Sequence, residues 1–225
     1  MFFDRMTERI VENDWWPFIV LILATSLVAI GRQIYSARLL ELWNVLLFRN
    51  AFFQRAREER TRHRTFSNVL GLNFLLTTST LGGLILEKYA ANYEFLVWTG
   101  ICAAALIAIR IVSVVVNQVL IFFAGSAVGY AEHTLNTSVT RNAIGIVLLP
   151  FAWIMAFAEM DERMHLYLLV SCGVIPALFF IYRTLRGVLI TLESGASFLY
   201  IILYLCTLEI LPLVVSVRWL ITRNA

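Results

Sequence analysis

Lysine is almost missing from this chain: Lys88 stands alone beside seventeen arginines. Cysteine and histidine are equally sparse. Cys102, Cys172 and Cys206 all lie in apolar runs, which reads as small buried hydrophobes and excludes a disulfide framework or a cysteine metal cluster. His63, His133 and His165 fall in three separate segments without ligand spacing, so no metal and no cofactor is expected. No Walker-type loop, nucleophile elbow, HExxH or CxxC pattern occurs, and Gly125 to Gly129 is a small-x-x-x-small packing spacing. Repeats, low-complexity linkers and a stretch polar enough for a separate soluble domain are also lacking.

What is present is apolar. Sixty per cent of the 225 residues are hydrophobic, against roughly 45–50% in a soluble domain, and the excess needs lipid to absorb it. The sequence therefore predicts an all-α protein: a polytopic transmembrane helix bundle of about six spanning helices plus interfacial, amphipathic helices. All 225 residues would form one integral membrane domain. Within it, 1–15 is an acidic N-terminal segment, 38–65 an Arg-rich cytoplasmic loop and 112–141 an amphipathic connection. The acidic N-terminus, with Asp4, Glu8, Glu12 and Asp14, has the wrong sign for a signal peptide, so the first apolar run should stay as a spanning helix.

The crossings are expected at about 17–35, 66–86, 95–112, 142–158, 165–182 and 196–220. Trp15 and Trp16 before Pro17 suit an interfacial belt and a first helical turn. Leu39, Leu42, Trp43 and Leu46 recur at helical spacing in a stretch too charged to span, which suits a helix in the interface. The second crossing carries Asn68, Asn73, Thr77, Thr78, Ser79, Thr80, Gly82 and Gly83. Small and hydroxyl residues allow close approach, so this helix should be packed on several sides. Arg110, Ser113 and Asn117 share a face at the end of the third crossing, with Arg110 snorkelling to the cytoplasmic side.

Glu209 is the most expensive residue. It lies inside the apolar run 198–213, with Pro212 three residues on. An acid at the centre of a spanning helix costs on the order of 2.5–3.5 kcal/mol on insertion scales. Pro212 leaves the Leu208 carbonyl without its helical donor, so this turn should be buried against protein, making the last helix a central one. A protonated glutamic acid locking a helix contact accounts for this; a proton-carrying or substrate-binding role is the sharper reading. Arg183 and Arg186, closing the fifth crossing, could supply a counter-charge.

The tract 54–64 carries Arg55, Arg57, Arg60, Arg62 and Arg64. It reads first as a topogenic positive-inside loop, and more sharply as a basic patch for anionic lipid or ribosomal RNA. No base-reading module accompanies it, so no specific nucleic-acid partner is expected. With this loop inside, the inner connections hold twelve of the eighteen Lys and Arg residues, a bias that gives N-out, C-out.

The pairing of LLFRNAFFQRAREE (46–59) with LYLCTLEILP (203–212) resembles an uncharacterised polytopic inner-membrane family of Bacteroidota, domain of unknown function 4271. Tyr204, Cys206, Thr207, Glu209, Ile210, Leu211 and Pro212 carry the most specific part of the resemblance, which covers about 39–220. It implies a bacterial cytoplasmic membrane, multi-pass, and no established activity. Three functions compete on the residues. One is a structural or accessory component of a cell-envelope assembly, docking a membrane-protein partner. Another is a small proton-linked transporter or lipid flippase using Glu209. The third is a lipid-headgroup enzyme drawing on Glu209, Glu132, His133 and an arginine.

Overall fold

The computed structural model describes residues 15–34, 36–48, 64–89, 94–124, 130–158 and 161–193, and among them every regular element is a helix. These are α1 (Trp15–Ile34), α2 (Ser36–Leu47), α3 (Arg64–Tyr89), α4 (Phe95–Ala124), α5 (Tyr130–Phe157) and α6 (Glu162–Glu193). All except α2 are long and apolar enough to cross a membrane, over Trp15–Ile34, Phe66–Lys88, Phe95–Val115, Thr134–Phe157 and Glu162–Leu189. Five of the six expected crossings are thus in place. The sixth, 196–220, lies outside the described residues, as does any central role for it.

Side-chain contacts fix the helix directions. Ser67 meets Ser138 and Asn142, and Phe74 lies beside Gly145. Residue numbers rise together along both helices, so α3 and α5 run parallel. Gly82 and Gly83 oppose Cys102 and Thr99, so α4 runs antiparallel to α3. Gly31 opposes Phe66 and Leu70, and Asn136 meets Arg183, which makes α1–α3 and α5–α6 antiparallel pairs as well. The five spans therefore alternate in direction through the bilayer.

The centre of the described bundle is α3 with α5. Of the span residues, 39% in α3 and 44% in α5 are buried, against 11% in α4 and 6% in α6. The second crossing is packed on several sides, as its glycines and hydroxyls imply. Without a hydrophobic force between helices in lipid, backbones must come close. A Cβ at Gly145 would stand 2.7 Å from the Phe74 Cα, and one at Gly83 would collide with Thr99. Two of the buried hydroxyls are satisfied within the helix: Thr80 Oγ1 donates to the Leu76 carbonyl at 2.8 Å and Ser79 Oγ to the same carbonyl at 3.1 Å.

Two apolar clusters fill the interior. One joins Leu42, Val45 and Leu46 of α2 to Phe66, Leu70, Leu135, Val139 and Ala143. The other joins Leu21 and Ala24 to Leu81, Leu148, Leu149, Ala152 and Cys172. Beside the second, Phe18, Trp153 and Phe157 form an edge-to-face and tilted aromatic cluster, and Trp153 Nε1 donates to Thr25 Oγ1 at 3.0 Å.

Two boundaries differ from the sequence reading. The third crossing keeps an apolar span over Phe95–Val115, close to the expected end near Val112, while α4 continues as one helix to Ala124. The connection expected over 112–141 is helical at both ends, and α5 begins at Tyr130 with its apolar span from Thr134 rather than Asn142. The reason is local. Asn136, Thr140 and Asn142 are polar by type, yet each is 2% exposed because it packs inside the bundle. Pro150 and Pro176 lie inside α5 and α6, which continue through them.

Gly145→Val should lower the melting temperature in detergent and the yield of folded protein, since overpacking against backbone costs about 1–3 kcal/mol. Gly100→Val, at a position where an added Cβ meets nothing within 4 Å, should leave both unchanged.

Candidate functional site: the arginine end of the bundle

The described polar side chains concentrate at the end of the bundle where α1 and α6 finish and α3 and α5 begin. Three interhelical fastenings lie there. Ser67 and Ser138 share a hydrogen bond, and Asn142 Nδ2 donates to Ser67 Oγ at 3.4 Å. Asn136 Nδ2 donates to the Arg183 carbonyl at 3.1 Å. The third joins α6 to α2: Arg186 donates from Nη1 to the Leu46 carbonyl at 2.9 Å and from Nη2 to the Val45 carbonyl at 2.8 Å, while the Tyr182 hydroxyl donates to the Leu46 carbonyl.

The last contact has a simple physical origin. Val45 and Leu46 lie in the final turn of α2, whose carbonyls have no intrahelical donor and carry the negative end of the helix dipole. A guanidinium offers several coplanar donors and a fixed positive charge, so Arg186 satisfies two orphan carbonyls at once. An arginine set down as a counter-charge for Glu209 is, among the described residues, the C-cap of the interfacial helix. Leu42, Val45 and Leu46 supply its buried face; Trp43 is half-buried.

The remaining arginines are less completely satisfied. Arg141 of α5 lies against Gly71 of α3, where an added Cβ would be 2.8 Å from its Nη2. Its Nε is buried without a hydrogen-bond partner. Arg110 of α4 is exposed and lies one turn and a half inside the end of its span, at the same end of the bundle as Arg141. Arg183 sets its guanidinium carbon 5.9 Å from the centre of the Phe180 ring, and its Nε is also buried without a partner. Further buried atoms of α3 and α5 are unpartnered: Asn73 Nδ2, Thr78 Oγ1, Asn136 Oδ1, Thr137 Oγ1, Thr140 Oγ1 and Asn142 Oδ1.

Of the residues singled out in the sequence, Arg110, Arg183 and Arg186 are thus brought to one end. Asn117 belongs to α4, but its side chain lies outside the described residues. Glu209 and Pro212 lie outside them altogether, as do Arg55, Arg57, Arg60 and Arg62; Arg64 opens α3. Glu132 and His133 are in the first turn of α5, with side chains outside the described set. Among the described residues no group of three or more His, Cys, Asp or Glu side chains comes together. Arg141 was not singled out by sequence reasoning. The available signal was an arginine between Thr140 and Asn142, seven residues into an apolar run.

An all-helical bundle with five membrane-length helices, and with Arg32, Arg110, Arg141, Arg183 and Arg186 at one end, defines a polytopic membrane protein. The family model described as Domain of unknown function (DUF4271) matches residues 17–220, and the chain belongs to that family. No curated protein and no solved structure matches it.

Arg186→Met should release α2. Hydrogen bonds to a charged group contribute about 1.5–3 kcal/mol, so amide hydrogen exchange over 42–48 should accelerate at least tenfold while the α3 and α5 amides stay protected.

Proposed function

We propose that this protein is an accessory component of the cell-envelope assembly, an N-out, C-out resident of a bacterial inner membrane that presents a docking face to a membrane-protein partner. The observation that carries this reading is the fastening of α2. An amphipathic helix bound at its last carbonyls by Arg186 and Tyr182 is itself a fixed surface beside the bundle. A loop needed only for topology has no use for such an anchor.

The placement of charge supports the orientation. Arg32, Arg110, Arg141, Arg183 and Arg186 belong to the helix ends on one side. On the other side stand Glu87, Lys88, Glu94, Asp161, Glu162 and Arg163, a set in which acids outnumber bases. The positive-inside rule puts the first group in the cytoplasm. A cysteine placed at position 57 should then be labelled only from the cytoplasm and one at Asp161 only from outside; the reverse pattern overturns the orientation. In-membrane crosslinking followed by purification should recover one partner in fixed ratio, and that partner should be lost in R186M. A protein that stays solitary in its native membrane is inconsistent with the docking role.

A second reading, a small proton-linked transporter using Glu209, draws support from the unpartnered buried atoms of Asn73, Asn136 and Thr140. Polar atoms left open at membrane depth suit water or a polar solute. Glu209→Gln that fully complements a deletion strain removes the proton-carrier idea.

A further inference from the structure

One pair of side chains has no use in the docking role. Arg110 and Arg141 come from helices that both pack on α3, and they sit at matching depth. Arg141 is seven residues inside its span and Arg110 and Gly71 are five residues inside theirs, so all three backbones lie about 8–10 Å below one membrane face at 1.5 Å per residue. The Arg141 guanidinium lies against Gly71 at that depth, where a charged side chain is accommodated by local thinning that draws headgroups inward. Two like charges at one level are unfavourable at this depth unless an anion joins them. The carboxylates with described side chains, Glu87, Glu94, Asp161 and Glu162, stand at the opposite membrane face.

We infer that Arg110 and Arg141 hold the phosphate of an anionic phospholipid beside α3, over the bare backbone at Gly71. Each part of the site has a reason. Gly71 lets the Arg141 guanidinium lie flat on α3; any side chain would push it away. The Nε of Arg141 is buried without a hydrogen-bond partner among the described residues, so this guanidinium has donor capacity left for an anion. Guanidinium and phosphate match in geometry, and such pairs are stronger than neutral hydrogen bonds. Basic sites between helices on the cytoplasmic side are a recognised way to select anionic lipids. The acyl chains have a place too: Ile107, one turn deeper than Arg110 on the same face, is 47% exposed. The residues of this site are other than those of the tract 54–64.

The test uses the full chain in phosphatidylcholine nanodiscs with and without phosphatidylglycerol, read by native mass spectrometry and thermal melting. The wild type should retain phosphatidylglycerol in preference to phosphatidylcholine and melt higher in its presence. R141Q and R110Q should each weaken that preference roughly tenfold, the scale of one charge-assisted bond. R141K, which keeps the charge and guards against misfolding, should retain part of it, and R55Q/R57Q should retain all of it. Equal retention of the two lipids by the wild type, or full preference in R141Q and R110Q, overturns the inference. So does inorganic phosphate in pure phosphatidylcholine discs reproducing the whole melting shift, because the ligand is then a free anion. Finally, if E132Q or E209Q lowers the melting temperature and R141Q adds nothing to it, Arg141 already has an internal carboxylate and no lipid is held.

Discussion

The contact between α3 and α5 is the constraint on which the rest of the described bundle depends. Lipid tails are as apolar as leucine, so nothing drives two helices together in a bilayer except fit and polar attraction. At this contact both operate. Gly145 brings α5 against the Phe74 backbone, and the Ser67, Ser138 and Asn142 set fastens the same two helices a turn or two away. Asn73, Asn136 and Thr140, each at most 2% exposed, are kept out of hydrocarbon inside the bundle. The outer helices hang on this pair, α4 through Gly82 and Gly83, α6 through Asn136.

The two ends of the bundle are held by different chemistry. At one, phenylalanine and tryptophan rings pack with one hydroxyl bond, from Trp153 to Thr25. At the other, guanidinium and amide groups cross between helices. Charge assorts in the same way, with the arginines at the polar end and a mixed set at the aromatic end. A bilayer with an electrically negative inner leaflet gives each end a natural side.

Much of this architecture was legible because lipid forces a simple code. The five apolar runs gave the spans, and Gly82, Gly83 and the threonines of α3 foretold a helix packed on several sides. The Leu42, Trp43, Leu46 periodicity foretold α2. The misreadings share one cause: residue type does not reveal what a side chain faces. Asn136 and Thr140 look like part of an amphipathic connection, yet they are interior to α5, and this also concealed Arg141. The acceptors that Arg186 meets on α2, the carbonyls of Val45 and Leu46, are backbone groups that no side-chain pattern records. Glu209, the most expensive residue in the chain, lies outside the described helices, so its standing is unchanged by the geometry.

The cap on α2 links events far apart in synthesis. Val45 and Leu46 leave the ribosome 141 and 140 residues before Arg186 does. During that interval the helix can rest at the surface, its last carbonyls turned to water or headgroups. Only when α6 has been inserted does the guanidinium arrive. A chain interrupted before that point carries a loose surface helix, and a finished one carries a clamped helix. The state of α2 therefore reports whether biogenesis has run to completion, a distinction that membrane quality-control proteases can read from outside the bilayer.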